Sequence, residues 1–192
     1  MTKPNPAALD FLLTRRSRPH KTLTTPAPDR DALHPLLTAA ARTPDHGKLE
    51  PWRFIVLEQA ALHRLAALTR TRGAELELDV DQIDKIAGMF ETAPLSVAVV
   101  ASPKASEKIP EIEQTLSAGA VCLAMLNAAL AAGWGANWLT GWTAFDRPFL
   151  SQGLGLDEPE YVAGFIHMGT ETSPPPDRPR PKLDAITTWV SK

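Results

Sequence analysis

Between Glu113 and Asp146 the chain carries no Asp, Glu, Lys or Arg, and this gap restricts the available folds more than any other feature. Its apolar heart, AGAVCLAMLNAALAAGW, is long enough to be tested as a membrane span. It is rich in Ala and Gly, contains Asn127 and lacks a basic flank, so the composition and charge signals of such a span are missing. A helix that is hydrophobic all round has to be covered on every side. The segment is therefore expected to form a long central helix, buried inside a globular protein or between two copies of the chain. Ser117, Ala118, Gly119 and Ala120 would let another backbone come close. No membrane partner is expected.

The rest of the chain reads as elements packed around that helix. Asn5 and Pro6 form a cap and first position for a helix whose Leu9, Leu12 and Leu13 make one apolar stripe, ended by RRSRP. A second helix carries Leu33, Leu36, Leu37, Ala40 and Ala41, beginning near Asp31 or kinking at Pro35. RFIVLE reads as a strand. Leu62, Leu65 and Leu68 mark a third helix, and Val80, Ile83, Ile86, Ala87 and Phe90 a fourth that Pro94 stops. LSVAVVAS, a β-branched run bounded by prolines, reads as a fully buried strand. Gly133 and Gly135 close the central helix, and the short extended piece ANWLTGW follows. Asp146 caps a short helix through Leu154, and YVAGFIHMG is the last strand. From about residue 171 a proline-stiffened arm leaves the domain extended. The expectation is one α+β domain over residues 1–192, with a mixed central sheet flanked by helices.

Composition excludes several function classes. With 20 basic and 22 acidic residues the net charge is -2, and no basic footprint for nucleic acid is visible. Cys122 is the only cysteine, which rules out an internal disulfide framework and fits a reducing, cytoplasmic setting. MTKPNPAALDF lacks the apolar core of a secretory signal. His20, His34, His46, His63 and His167 are scattered without metal-ligand spacing, so no metal is expected. GWGAN precedes an extended piece and is no dinucleotide fingerprint. There is no G-x-S-x-G elbow, and Cys122 in mid-helix reads as core. Any chemistry is then expected to be carried by a cofactor, with no catalytic side chain named.

Three segments hold more polar chemistry than connectors need. RRS, Arg15 to Ser17, stands at a helix end, where arginines alone would merely complement the helix dipole. The loop RTPDHGKLEPW, from Arg42, needs only Pro44, Asp45 and Gly47 to turn, so His46, Lys48 and Trp52 are surplus to a turn. NWLTG, Asn137 to Gly141, taken by itself is a strand and a turn.

In their order along the chain these segments resemble the nitroreductase family, most closely its short single-domain, YdjA-like branch. The likeness runs through LLTRRSRP, RTPDHGKLEPWRFIVL, APLSVAVVA, EQTLSAGAVCLAMLNAALAAGWGANWLTG and GFIHMGT. It implies a homodimer packed through the long helix, with two FMN molecules in the crevices between subunits. By resemblance, Arg15, Arg16 and Ser17 would hold the phosphate and ribityl end, and Arg42 and His46 would reach the same flavin from the partner chain. Trp138, Leu139 and Thr140 would line the isoalloxazine, the Thr140 backbone N–H facing its reactive N5. The family's nicotinamide stretch falls on Ala128, Ala129, Leu130, Ala131, Ala132 and Gly133. Relatives often carry W-R-[ST]-G, and Leu139 departs from that pattern by removing a charged side chain. By resemblance to other branches, whose basic tails reach a phosphate, Arg178 and Arg180 in DRPRP could do so here, but the plainer reading of these residues is an exposed polyproline arm. The implied activity is hydride transfer from NAD(P)H through FMN to an electron-poor acceptor such as a nitroaromatic or quinone. The alternatives are another flavin chemistry on the same fold, namely dehalogenation or flavin fragmentation, and a non-enzymatic dimeric binding module.

Overall fold

Side-chain caps set where four of the helices begin. In the computed structural model, which describes residues 3–191, α1 (Pro6–Thr14) starts where Asn5 Oδ1 accepts the Ala8 N–H at 3.2 Å. Asp29 likewise caps α2 (Arg30–Ala40) through the Ala32 N–H at 2.9 Å. Pro35 sits inside α2 on its exposed face, where the missing N–H leaves the carbonyl opposite open to solvent rather than buried. The helix α3 (Gln59–Glu75) is followed after a short turn by α4 (Val80–Thr92), capped by Asp79. Asp146 caps α6 (Arg147–Leu154). The long helix is α5 (Glu111–Ala131), and a single-turn helix, α7 (Leu183–Ile186), lies in the arm.

The five strands are β1 (Leu23–Thr24), β2 (Trp52–Leu57), β3 (Leu95–Ala101), β4 (Gly135–Leu139) and β5 (Tyr161–Glu171). β5 is the common partner of β1, β3 and β4, and β2 pairs only with β3. Every pairing among the described residues is antiparallel, which corrects the expectation of a mixed sheet. The connections between the strands show how this arises. Between β2 and β3 the α3–α4 hairpin carries the chain away and back again, so β3 starts at the end where β2 stopped and runs against it. Only α5 lies between β3 and β4, which makes those two co-directional, but β5 separates them. β1 has only two residues, Leu23 opposite Glu171 and Thr24 opposite Thr170, too few for any alternation to be visible in sequence. Gly169 makes its approach possible, since a Cβ there would stand 2.6 Å from the Thr24 carbonyl oxygen.

Two cores lie on opposite faces of the sheet. Against α3, α4 and α6, Phe165 of β5 meets Phe90 edge-on at 5.1 Å, with Phe149 stacked on the other side of Phe90 at 6.0 Å. Against α2 and α5, Val97, Val99, Ile166 and Met168 pack on Val121, Cys122, Met125 and Leu126. Full burial of each large side chain contributes about 1.5–3 kcal/mol.

The long helix is not covered all round. Ser117, Ala118, Val121, Cys122, Met125 and Ala129 face the core, whereas Ile112, Leu116 and Leu123 are exposed, Leu116 at 65%. Leu9, Leu12 and Leu13 of α1 are exposed too, and α1 buries no residue. Beyond β5, residues 172–191 are exposed apart from half-buried Pro175.

Candidate functional site

The segment after α1 is clipped to the sheet by its backbone. The Arg18 N–H donates to the Ala136 carbonyl at 2.8 Å, and the Asn137 side-chain amide donates to the Arg18 carbonyl at 2.6 Å. These two bonds hold Arg15, Arg16 and Ser17 beside the end of β4. Arg15 Nη2 donates to Ser17 Oγ at 3.1 Å, and Arg18 pairs with Glu171 at 3.1 Å. A cavity of about 520 Å³ opens there, walled by Arg15, Arg16, Ser17, His20, Asn137 and Trp138. The arm supplies its remaining wall through Pro175, Arg178 and Arg180. The structure thus corrects the picture of an arm that simply leaves the domain: its first half folds back, and a short helix, α7, interrupts its second half.

The cavity is built for an anion. Four guanidinium groups line it and no acidic side chain does. Arg15 Nε and Arg16 Nε are buried without a partner among the described residues, and buried donors of this kind are costly unless something accepts from them. Burial, followed by the charges of Arg180, Arg16 and Arg18, holds the Arg15 guanidinium below its ordinary value. Burial and the nearby Lys21 and Lys85 push His20 down, favouring its neutral form. Planar forks with free N–H groups match a phosphate or carboxylate.

Trp138 forms the other wall, and a glycine lets it sit there. A Cβ on Gly164 would fall 2.1 Å from Trp138 Nε1 and 2.5 Å from Cδ1. The indole N–H reaches the Ala163 carbonyl at 3.3 Å. Leu139 is half-buried and Thr140 exposed at the end of β4, and neither borders this cavity. Cys122 lies beneath, its Sγ 3.0 Å from the same Gly164 position. Burial pushes its thiol up to about 12, which removes it as a nucleophile at neutral pH.

Arg42 and His46 stand elsewhere on the chain. Arg42 is exposed just after α2, and His46 Nδ1 lies 2.8 Å from Glu113 Oε2 near the start of α5. Their loop is fastened to α5 through Ser117, whose hydroxyl donates to the Pro44 carbonyl at 3.0 Å and accepts from Trp52 Nε1 at 3.3 Å. His46 borders a shallow depression of about 340 Å³ with Asp45, Leu116 and Ala120. Within one chain this depression and the arginine cavity share no lining residue.

The nicotinamide stretch is divided. Ala128 and Ala129 pack into the core, and Ala131 and Ala132 are exposed at the end of α5. Leu130 and Gly133 border a smaller cavity, of about 280 Å³, on the far side of Arg15 and Arg16, with Phe11 and Trp134. His20, Asn137 and Pro175 are lining residues that sequence reading did not single out. The basic pattern DRPRP is the sequence signal that points to the arm's two arginines. No cluster that could hold a metal occurs among the described residues.

Comparison with known proteins gives the family. The model of the Nitroreductase family matches residues 12–170, and the chain belongs to the nitroreductase family. It is 35% identical over 163 residues, 85% of this chain and 87% of the relative, to the Escherichia coli K12 protein named "Putative NAD(P)H nitroreductase YdjA". The fold is shared with a "Nitroreductase-like Family Protein" from Bacillus cereus, at a TM-score of 0.79 and 21% identity, covering 99% of this chain and 98% of that one. It is shared also with "a putative nitroreductase in complex with fmn" from Desulfovibrio desulfuricans, at a TM-score of 0.74 and 23% identity over 99% of this chain and 100% of the other.

Proposed function

We propose that the chain is an FMN-dependent NAD(P)H oxidoreductase acting on an electron-poor acceptor such as a nitroaromatic or quinone, and that it works as a homodimer with each flavin site shared between two chains. The observation that carries this reading is the acid-free arginine cavity with two unpartnered buried N–H groups, found in a member of the nitroreductase family. The residues fit the group: Arg15, Arg16 and the Ser17 hydroxyl would hold the phosphate, and Trp138 would wall the ring system. FMN, when bound there, would supply the hydride chemistry between NAD(P)H and the acceptor. The chain's own part is to bind, orient and exclude water.

Thr140 and Leu139 stand at the end of β4, next to Trp138. Leu139 offers an acceptor an apolar surface in place of the charge that relatives often carry, and the Thr140 backbone N–H is the proposed donor toward the flavin ring. Arg42 and His46 would come from the second chain, because their depression lies on the α5 face that bears exposed Leu116. Leu130 and Gly133 are the members of the nicotinamide stretch that border the arginine segment. The inert Cys122 is consistent with a reaction that needs no protein nucleophile.

The purified protein is expected to be yellow, or to take up added FMN, and to release FMN rather than FAD on denaturation. A colourless protein that also fails to bind FMN would overturn the reading and favour a flavin-free binding module.

A further inference from the structure

Of the side chains that wall the larger cavity, one can take up or give up a proton near neutral pH. Arg15, Arg16, Arg178 and Arg180 keep their charge, and Ser17, Asn137, Trp138 and the two prolines do not titrate in that range. His20 is left. It opens the single turn His20–Thr22 ahead of β1. The residue is half-buried, and its Nδ1 is buried without a partner among the described residues, which leaves Nε2 as the nitrogen able to face a ligand. The charges around the ring are cations: Lys21 from its own turn, Lys85 from α4, and the four arginines that share the cavity. No carboxylate borders the cavity. On β5 lies His167, fully buried, and the charge of His20 acts on it. Because His167 is the deeper of the two, a proton available to both rests on His20. Burial and the two lysines hold His20 below its ordinary value, which makes its imidazolium a readier acid than a solvated one.

We propose that His20 is the proton donor of this cavity: its imidazolium N–H supplies the proton that an acceptor takes up along with the hydride equivalent passed from NAD(P)H. This rests on reading the cavity as the FMN site, and goes beyond it by giving a side chain a chemical task. The stoichiometry calls for such a proton. A quinone that receives a hydride equivalent at one oxygen is still an anion, and it becomes a neutral hydroquinone only when a proton reaches the other oxygen. The imidazolium N–H bond breaks, the O–H bond forms, and the neutral imidazole recovers a proton from water. The arginines can stabilise that anion but cannot neutralise it, because a guanidinium does not give up its proton.

The test uses the full chain loaded with FMN, reduced once by NAD(P)H and then mixed with a benzoquinone in a single turnover. The native rate should fall by about 10-fold per pH unit above the pH at which His20 loses its proton. His20→Gln should be slower by about 100-fold or more below that pH, and its rate should no longer change with pH. Its FMN affinity, read by flavin fluorescence, should stay close to native, which separates lost chemistry from a lost fold. In NMR of the native FMN-loaded protein labelled at histidine, the His20 resonance should titrate at the same pH as the rate. His46, which the shared-site reading brings to the cavity from the second chain, is the rival donor; His46→Gln should weaken FMN binding but keep the native pH profile. A native rate that does not change with pH would overturn the assignment, as would a His20 resonance that titrates elsewhere. So would a profile that His46→Gln abolishes and His20→Gln leaves intact. A chain that binds no FMN brings down the flavin reading and the donor together, whereas one that binds FMN and keeps its profile in His20→Gln loses the donor alone.

Discussion

Gly164 shows how much of the site depends on a missing methyl group. Its Cβ would collide with the Trp138 indole at 2.1 Å, so Gly164→Ala has to push the tryptophan off the cavity wall. The overpacking is expected to cost about 1–3 kcal/mol, seen as a lower thermal midpoint together with weakened flavin binding. His167 sits on the opposite face of β5, and both of its ring nitrogens lack partners among the described residues. Burial, followed by the charge of nearby His20, pushes it down to about 3 from an ordinary 6.5. A base depressed in the folded state contributes stability that is intact above about pH 6.5 and is lost as pH falls toward 3. Between pH 7 and pH 5 the loss should reach about 2 kcal/mol, a window in which unfolded carboxylates are still mostly ionised. Urea midpoints at the two pH values should differ for the native chain and much less for His167→Gln; equal differences in the two proteins would contradict the assignment. The arginine pair and Trp138 were legible as candidates through the order of their segments along the chain, which carries the family resemblance, and not from either segment alone. His167 was not, because a lone histidine without ligand spacing reads the same whether its strand buries it or leaves it wet.

Among the elements, the Asn5 and Asp146 caps were read from sequence, each accepting from an N–H three residues on, whereas Asp29 and Asp79, which cap α2 and α4 in the same way, were not singled out. Asp146 also meets Arg72 through two bonds of 3.0 Å, tying α6 to α3. Asp146→Ala is expected to lose at least the cap, about 1 kcal/mol, measured by chemical unfolding, with a larger loss showing that the tie between helices matters too. Strand direction was not readable, since a lone helix lies between β3 and β4, which run the same way, and also between β4 and β5, which run opposite ways. Nor was the division of α5 into a core face and an apolar outer face, because a helix of small and aliphatic residues shows no polar stripe by which to orient it. The outer face predicts assembly: Leu116→Lys combined with Leu123→Glu should convert a dimer into a monomer in sedimentation velocity, and flavin should be lost with it if Arg42 and His46 serve the partner's site. A monomer that keeps full FMN affinity would separate the dimer from the flavin site.

At the scale of the whole molecule, the arginine cavity and the His46 depression lie apart on one chain, so the shared-site reading makes a prediction about mixtures. Arg15→Ala and Arg42→Ala should each weaken FMN binding, with a lost charged hydrogen bond worth about 1.5–3 kcal/mol. Heterodimers of the two variants should recover one tight site, built from the intact Arg15 of one chain and the intact Arg42 of the other. Titration of the exchanged mixture reads this as a tight class in up to half of the heterodimer sites, and its absence after proven exchange would refute the shared site. The sheet's topology also bears on how the chain is made. β5 comes after every one of its partners in the chain, yet three of the four other strands pair with it. Until it has been synthesised, β2 and β3 can form only a two-stranded ribbon with β3's inner edge open, and β4 has no partner at all. A growing polypeptide therefore carries its most apolar strand, LSVAVVA, unpaired along one side from the completion of β3 at Ala101 until β5 is complete at Glu171. Such edges invite pairing with other chains, and ribosome-stalled products that end before Tyr161 should be found with chaperones or in aggregates.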